Sequence, residues 1–94
     1  MIQSFADPET ERIWSGRRSR RLPSDIQAVA LRKLRMLNQA RVLADLRVPP
    51  GNRLEALRSD RIGQHSIRIN DQWRICFVWS DAGPSHVEIV DYHD

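Results

Sequence analysis

Trp73-Arg74-Ile75-Cys76-Phe77-Val78-Trp79 is the stretch on which the reading of this chain turns. Bulky apolar residues occupy every second position. Alternation with a period of two marks a β-strand, because successive side chains leave opposite faces. Trp73, Ile75, Phe77 and Trp79 share one face and are expected to meet a core. Arg74, Cys76 and Val78 share the other. Asn70-Asp71-Gln72 precedes the stretch as a turn, and Asp81-Ala82-Gly83-Pro84 follows it as a second. Beyond the first turn His65 to Ile69 alternates again, with Ile67 and Ile69 opposed to Ser66 and Arg68. Beyond the second, Val87 to Tyr92 is rich in β-branched residues. Strands joined by such short turns pair antiparallel. Arg53 to Leu57 is a further short strand candidate, set off by the breaker Pro49-Pro50-Gly51-Asn52.

The first half of the chain has a different period. Ile2 to Phe5 reads as a short strand. Asp7-Pro8-Glu9 then starts a helix: Asp7 caps it, Pro8 suits its first position, and Glu9 and Glu11 favour the positive end of its dipole. This helix carries Ile13 and Trp14 and is expected to stop at Gly16. The main helix opens at Pro23-Ser24-Asp25, where Ser24 and Gln27 have the spacing of a capping box. Ile26, Val29, Ala30, Leu34 and Leu37 fall on one face at 3.6-residue spacing. Arg32, Lys33, Arg35 and Asn38 lie elsewhere around it, and Leu31 and Met36 broaden the apolar side. The helix is expected to end near Ala40, and Val42, Leu43 and Leu46 suggest one more short turn. The sum is an α+β chain, with N-terminal helices packed on one face of a small antiparallel sheet. Arg74 then lies on the uncovered face.

Size and composition narrow the possibilities. The chain has 94 residues and is expected to form a single domain, residues 1–94. A chain of this length buries only about 60–65% of its unfolded surface, so a bound partner would add usefully to its stability. No apolar run approaches the ~20 residues needed to span a bilayer. Residues 1–7 lack the basic start and apolar stretch of a secretory signal. Cys76 is the sole cysteine, so neither an intrachain disulfide nor a cysteine-based metal cluster can form. A cytoplasmic protein without membrane contact is expected. The histidines, His65, His86 and His93, show no metal-ligand spacing, and no metal or cofactor is expected.

Charge supplies the functional hint. Lys and Arg number 15 against 12 acids, a net charge of +3, and every basic residue except Lys33 is arginine. The guanidinium presents a planar fork of donors that matches phosphate. A GC-rich genome would also favour arginine codons. Four arginines, Arg17, Arg18, Arg20 and Arg21, crowd the connector between the helices, as a solvated link or as a phosphate-contacting patch. Trp14, Trp73 and Trp79 could stack on bases, but alternation assigns Trp73 and Trp79 to the core. An α+β sheet with arginines on its open face is a plausible phosphate surface, and physics alone goes no further than a possible RNA-binding domain.

Three segments carry a resemblance: Gly51-Asn52-Arg53-Leu54-Glu55-Ala56-Leu57-Arg58-Ser59-Asp60-Arg61, then Ser66-Ile67-Arg68-Ile69-Asn70-Asp71-Gln72-Trp73-Arg74-Ile75-Cys76-Phe77, then Val90-Asp91-Tyr92-His93. In order and spacing they resemble the HigB branch of the RelE/ParE toxin superfamily (GraT-like; the plasmid maintenance system killer family), and the likeness extends to the Met1-Ile2-Gln3-Ser4-Phe5 start. The resemblance implies a compact microbial-RNase-like fold. It also implies a toxin that cuts messenger RNA in the ribosomal A site without a metal. Further, it implies a helix-turn-helix antitoxin (HigA-like) that neutralises the toxin, and a complex of the two that represses its own operon at operator DNA.

Metal-free RNA cleavage uses the ribose 2′-OH as nucleophile. It needs a base, an acid and a cation at the crowded phosphorus. By resemblance Arg74 matches the family's arginine and is expected to stabilise the phosphate; a surface ion pair is the plainer alternative. Arg58 stands where the family often has a catalytic lysine, and can hold phosphate but is a poor proton donor. Arg53, Arg61 and Arg68 are candidates for ribosomal RNA or message phosphates, as are the connector arginines. His93 is the natural acid or base, although it is the penultimate residue. Tyr92 could stack on a base, orient the 2′-OH or donate a proton, or simply pack at the sheet end. Asp91 could hold His93 or act as a base. Strict alternation puts it on the core side, so either the strand bends there or Asp91 is a structural hydrogen-bonder. Glu55 stands where some relatives have histidine. It could serve as base if burial raised its pKa, or pair with a neighbouring arginine and weaken RNA contact. A milder enzyme than the strongest members is therefore expected. Three other readings remain open: a ParE-like gyrase inhibitor that cuts nothing, a plain RNA- or ribosome-binding module, and a degenerate toxin acting mainly in operon repression.

Overall fold

The alternation of Trp73–Trp79 folds as the sequence predicts. The computed structural model describes residues 1–92, and in it this stretch is the central β3, Trp73–Ser80. It pairs antiparallel with β2 (His65–Arg68) on one side and β4 (Gly83–Asp91) on the other. β1 (Glu55–Ala56) completes a sheet of order β1-β2-β3-β4. Two helices, α1 (Pro8–Trp14) and α2 (Ser24–Gln39), precede the sheet. Single 3-10 turns at Leu43–Arg47, Pro50–Asn52 and Ser59–Arg61 fill the connections.

The helices lie against the face that carries Ile67, Ile75, Phe77, Val87 and Ile89. Ile13 of α1 and Ile26, Ala30, Leu34 and Leu37 of α2 meet these residues in one buried cluster, with Trp14, Trp73 and Trp79 packed around it. Each fully buried aliphatic side chain here contributes about 1.5–3 kcal/mol by leaving water. Asp7 caps α1 as expected: its Oδ1 accepts from the Thr10 backbone N–H at 2.8 Å and its Oδ2 from the Thr10 hydroxyl at 2.9 Å. The Thr10 oxygen in turn accepts from the Ile89 N–H at 2.9 Å, which ties α1 to β4. Helix α1 gives way at Gly16, whose φ of +82° suits glycine.

Three local expectations are corrected. Ile2 to Phe5 is not a full strand. It runs parallel to β4 and makes one bridge, Phe5 with Val87; β4 has a left-handed residue at His86 (φ +51°), and Pro84 lacks an N–H, so a continuous ladder cannot form. The Ser24–Gln27 capping box is absent because Pro23 occupies the cap and Ser24 is already helical. Gln27 instead reaches back to the arginine connector: its Oε1 accepts from the Ser19 N–H (3.0 Å) and its Nε2 donates to the Ser19 and Leu22 carbonyls (2.8 and 2.9 Å). The Arg53–Leu57 strand shrinks to Glu55–Ala56, since Arg53 is left-handed (φ +45°) and cannot begin it, although the Leu57 N–H still donates to the Gln64 carbonyl in the same register. Lys33 lies off the apolar stripe of α2, as expected, and is nevertheless buried, because Asn52 receives its ammonium.

Candidate functional site: an arginine-lined open sheet face

Directly opposed residues of an antiparallel pair share a face. The register Glu55–Ser66–Cys76–Glu88 therefore crosses the sheet as one row on the face away from the helices. Arg68, Arg74 and Val90 form the neighbouring row on the same face. The sequence had placed Arg74 on this face, and the structure shows what fixes it there. Its Nε donates to the Ser66 hydroxyl at 2.7 Å, and its Nη2 donates to the Arg53 carbonyl at 2.6 Å. Its guanidinium carbon lies 5.8 Å from the centroid of the Tyr92 ring, within cation–π range. The Arg74 side chain is only 11% exposed, so its rotamer freedom is already spent. Among the described residues Nη1 carries no hydrogen bond, which leaves two donors for a ligand.

Two clefts adjoin on this face, and Arg74 lines the smaller of them. One, of about 690 Å³, is lined by Glu55 to Arg61 together with Val90, Asp91 and Tyr92. The other, of about 350 Å³, is lined by Arg53, Arg68, Asn70, Asp71 and Arg74. Glu55 and Tyr92 border both and form the divide between them. The structure thus gathers Arg53, Glu55, Arg58, Arg61, Arg68, Arg74, Asp91 and Tyr92. It does not bring Arg17, Arg18, Arg20 and Arg21 to the same place. Arg18, Arg20 and Arg21 border a different hollow of about 450 Å³ with Glu9 and Arg12, which shares no residue with the two clefts. His93 lies outside the described residues.

The arginines of the open face are partly neutralised by their own neighbours. Arg61 donates to Glu88 Oε1 at 2.7 Å, and this carboxylate raises the guanidinium above its ordinary value. Arg68 pairs with Asp71. Arg74 Nε stands 3.7 Å from Glu55 Oε1, an ion pair without a hydrogen bond. Asp91 lies opposite Trp73, on the helix-covered side that alternation predicts, but at its exposed margin, where it accepts from Gln72 Nε2 at 3.1 Å. The Tyr92 N–H donates to the Gln72 carbonyl at 2.9 Å, which anchors the end of β4 beside Arg74. Cys76 sits beneath the face. Burial pushes its thiol up to about 11, so it is protonated and unreactive at neutral pH. Among the described residues no three His, Cys, Asp or Glu side chains gather as a metal ion would require. Sequence reasoning missed Ser66 and Glu88 as the partners of Arg74 and Arg61; the cross-strand row was the only signal that could have found them.

Comparison with known proteins gives the class of the molecule. Residues 3–93 match the family model described as the RelE-like toxin of the type II toxin-antitoxin system HigB. The chain belongs to this HigB-like toxin family, and the family implies a cognate antitoxin as its partner. It is 42% identical over 83 residues to Toxin HigB-1 of Vibrio cholerae, covering 87% of each chain. It is also 36% identical over 61 residues to an uncharacterized protein of Haemophilus influenzae, covering 65% of this chain and 60% of that one. The observed α+β architecture agrees with a RelE-like fold. No helix of the described residues is long and apolar enough to cross a membrane.

Proposed function

We propose that this toxin is a ribosome-dependent endoribonuclease that cuts messenger RNA in the A site and so stops translation in the cytoplasm. The observation that carries the reading is Arg74: a guanidinium fixed by Ser66, the Arg53 carbonyl and the Tyr92 ring, lining a cleft that Glu55 and Tyr92 divide from a second. A cation held in place costs no reorganisation when charge develops on a phosphate.

In this reading the 2′-OH attacks the adjacent phosphorus, the 5′-oxygen leaves with a proton, and the products are a 2′,3′-cyclic phosphate and a 5′-OH. Side chains do this without a metal. Arg74 and Arg58 neutralise the phosphorane. Tyr92, Asp91 and His93 share the proton transfers and the orientation of the 2′-OH. Arg53, Arg61 and Arg68 contact flanking phosphates, and Arg17, Arg18, Arg20 and Arg21 serve as a separate anchor on ribosomal RNA. The ribosome supplies substrate positioning, which is worth several kcal/mol in such reactions. A HigA-like helix-turn-helix antitoxin neutralises the toxin and carries it to operator DNA.

The test is cleavage of an end-labelled message on programmed ribosomes by wild type, Arg74→Ala and a form lacking His93. A cut confined to the A site, lowered on the order of 10²–10³-fold by Arg74→Ala in a folded protein, supports the reading. An intact message at every protein concentration refutes it and directs the next assay to gyrase supercoiling.

A further inference from the structure

We propose that Glu55 is a displaceable counter-ion: its carboxylate occupies the place beside Arg74 that a phosphate takes, and substrate enters by pushing it aside. The identity of that phosphate as RNA rests on the ribonuclease reading above; the displacement itself does not.

Three observations carry the inference. The first is the kind of bond. Arg74 Nε gives its proton to Ser66 at 2.7 Å, while Glu55 Oε1 stands 3.7 Å away, so Glu55 holds Arg74 by Coulomb attraction alone. The Arg61–Glu88 pair on the same face is instead hydrogen-bonded at 2.7 Å. The second is the difference between the partners. Glu55 is 44% exposed and sits on the two-residue edge strand β1, whereas Arg74 is 11% exposed. When the pair parts, the glutamate is the side that moves. Arg74 keeps its bonds to Ser66 and to the Arg53 carbonyl and its contact with Tyr92, so it does not need Glu55 to stay in place. The third is position. Glu55 and Tyr92 are the residues common to the two clefts, so a strand of nucleotides crossing from one to the other passes over Glu55. A carboxylate there repels the phosphate until it turns away to solvent.

A counter-ion and a general base give opposite results on substitution. Loss of a base lowers cleavage and leaves binding alone. Loss of a counter-ion tightens binding, because an incoming phosphate no longer competes with a resident anion. Wild type, Glu55→Gln and Glu55→Ala would be titrated with inorganic phosphate and with a short 2′-O-methyl RNA, which cannot be cut. Binding would be followed by the 15N-labelled arginine side-chain signals of Arg74. Both variants are expected to bind each probe roughly three- to tenfold more tightly at low salt, the gain shrinking as salt screens the charges. Unchanged or weaker phosphate binding by the folded variants overturns the inference. Tighter phosphate binding, with no cleavage of message on ribosomes by any of the three proteins, leaves the counter-ion standing and removes the ribonuclease reading. Cleavage by wild type, lost in both variants with probe affinity unchanged, makes Glu55 the base and overturns the counter-ion.

Discussion

Asn52→Ala should be among the most damaging single changes outside the apolar core. Asn52 is 0% exposed and Lys33 is 7% exposed. The Lys33 ammonium donates to Asn52 Oδ1, and Asn52 Nδ2 donates to the Leu46 carbonyl at 3.1 Å and, at greater length, to the Val48 carbonyl at 3.4 Å. One amide thus satisfies a buried cation from α2 and ties the loop that leads to Arg53. Removing it deletes a charge-assisted hydrogen bond, about 1.5–3 kcal/mol, and a neutral one, about 1 kcal/mol. The ammonium is left buried without its partner, which is the costly way to break such a pair. About 3 kcal/mol of stability should be lost, which for a chain of this size lowers Tm on the order of 12–24 °C. Urea unfolding followed by tryptophan fluorescence measures this directly. The variants Lys33→Met and Lys33→Met with Asn52→Ala complete a double-mutant cycle, and the two changes should couple by at least about 1 kcal/mol. A loss below about 1 kcal/mol for Asn52→Ala, or strict additivity in the cycle, would refute the reasoning.

Lys33 also predicts a pH dependence. Burial, and then the neighbouring charges of Arg32 and Arg68, lower its folded-state pKa below the ordinary 10.5. The unfolded chain therefore keeps its proton to higher pH than the folded one, so stability should rise with pH between the lowered value and 10.5. Below that window the penalty is fully present and constant; urea midpoints taken up to pH 10.5 should show the rise in wild type and not in Lys33→Met. Asp7→Ala removes the cap of α1 and its link through Thr10 to β4, and should cost about 0.5–2 kcal/mol in chemical denaturation. Cys76, buried and with its thiol pushed up to about 11, should resist alkylation at neutral pH until the protein unfolds, so rapid native labelling would contradict its placement. Gly83→Ala should be destabilising by calorimetry, since Gly83 has a φ of +122° and an added Cβ would stand 2.3 Å from the Met1 carbonyl oxygen.

Most of the architecture could be read because it depends on periodicity. The alternation in Trp73–Ser80, the 3.6-residue spacing of Ile26, Ala30, Leu34 and Leu37, and the turn residues before and after β3 each state their structure locally. What could not be read depends on which distant residue satisfies a polar group. Lys33 lies off the apolar stripe of α2, and its burial shows only once Asn52, nineteen positions away, is known to receive it. Gln27 looks like a capping residue until the Ser19 backbone is known to engage it. The same limit applied to the site. The positions of the arginines on the sheet followed from alternation and family resemblance, and a pair between Glu55 and a neighbouring arginine was one of two readings open for that residue, but Ser66 and Glu88 followed only from strand register.

Those partners bear on why such a toxin would need a ribosome. Five arginines border the two clefts, Arg53, Arg58, Arg61, Arg68 and Arg74. Arg61, Arg68 and Arg74 each have a carboxylate partner, and among the described residues Arg53 and Arg58 have none. Electrostatic affinity for a nucleic acid comes largely from counterions released when phosphates are neutralised by cationic side chains. An arginine that must first give up its own carboxylate contributes less, because the pair it forms with phosphate replaces a pair it already had. The open face is therefore poorly suited to capture free RNA by charge alone, while Arg74 stays organised to act on a phosphate delivered to it. On the proposed reading the ribosome makes that delivery, and Arg17, Arg18, Arg20 and Arg21, set apart on the helix connector, bind without competing for the reacting phosphate. On that same reading weak capture and a fixed cation work together: a toxin so built would leave bulk RNA alone and act where the message is already held.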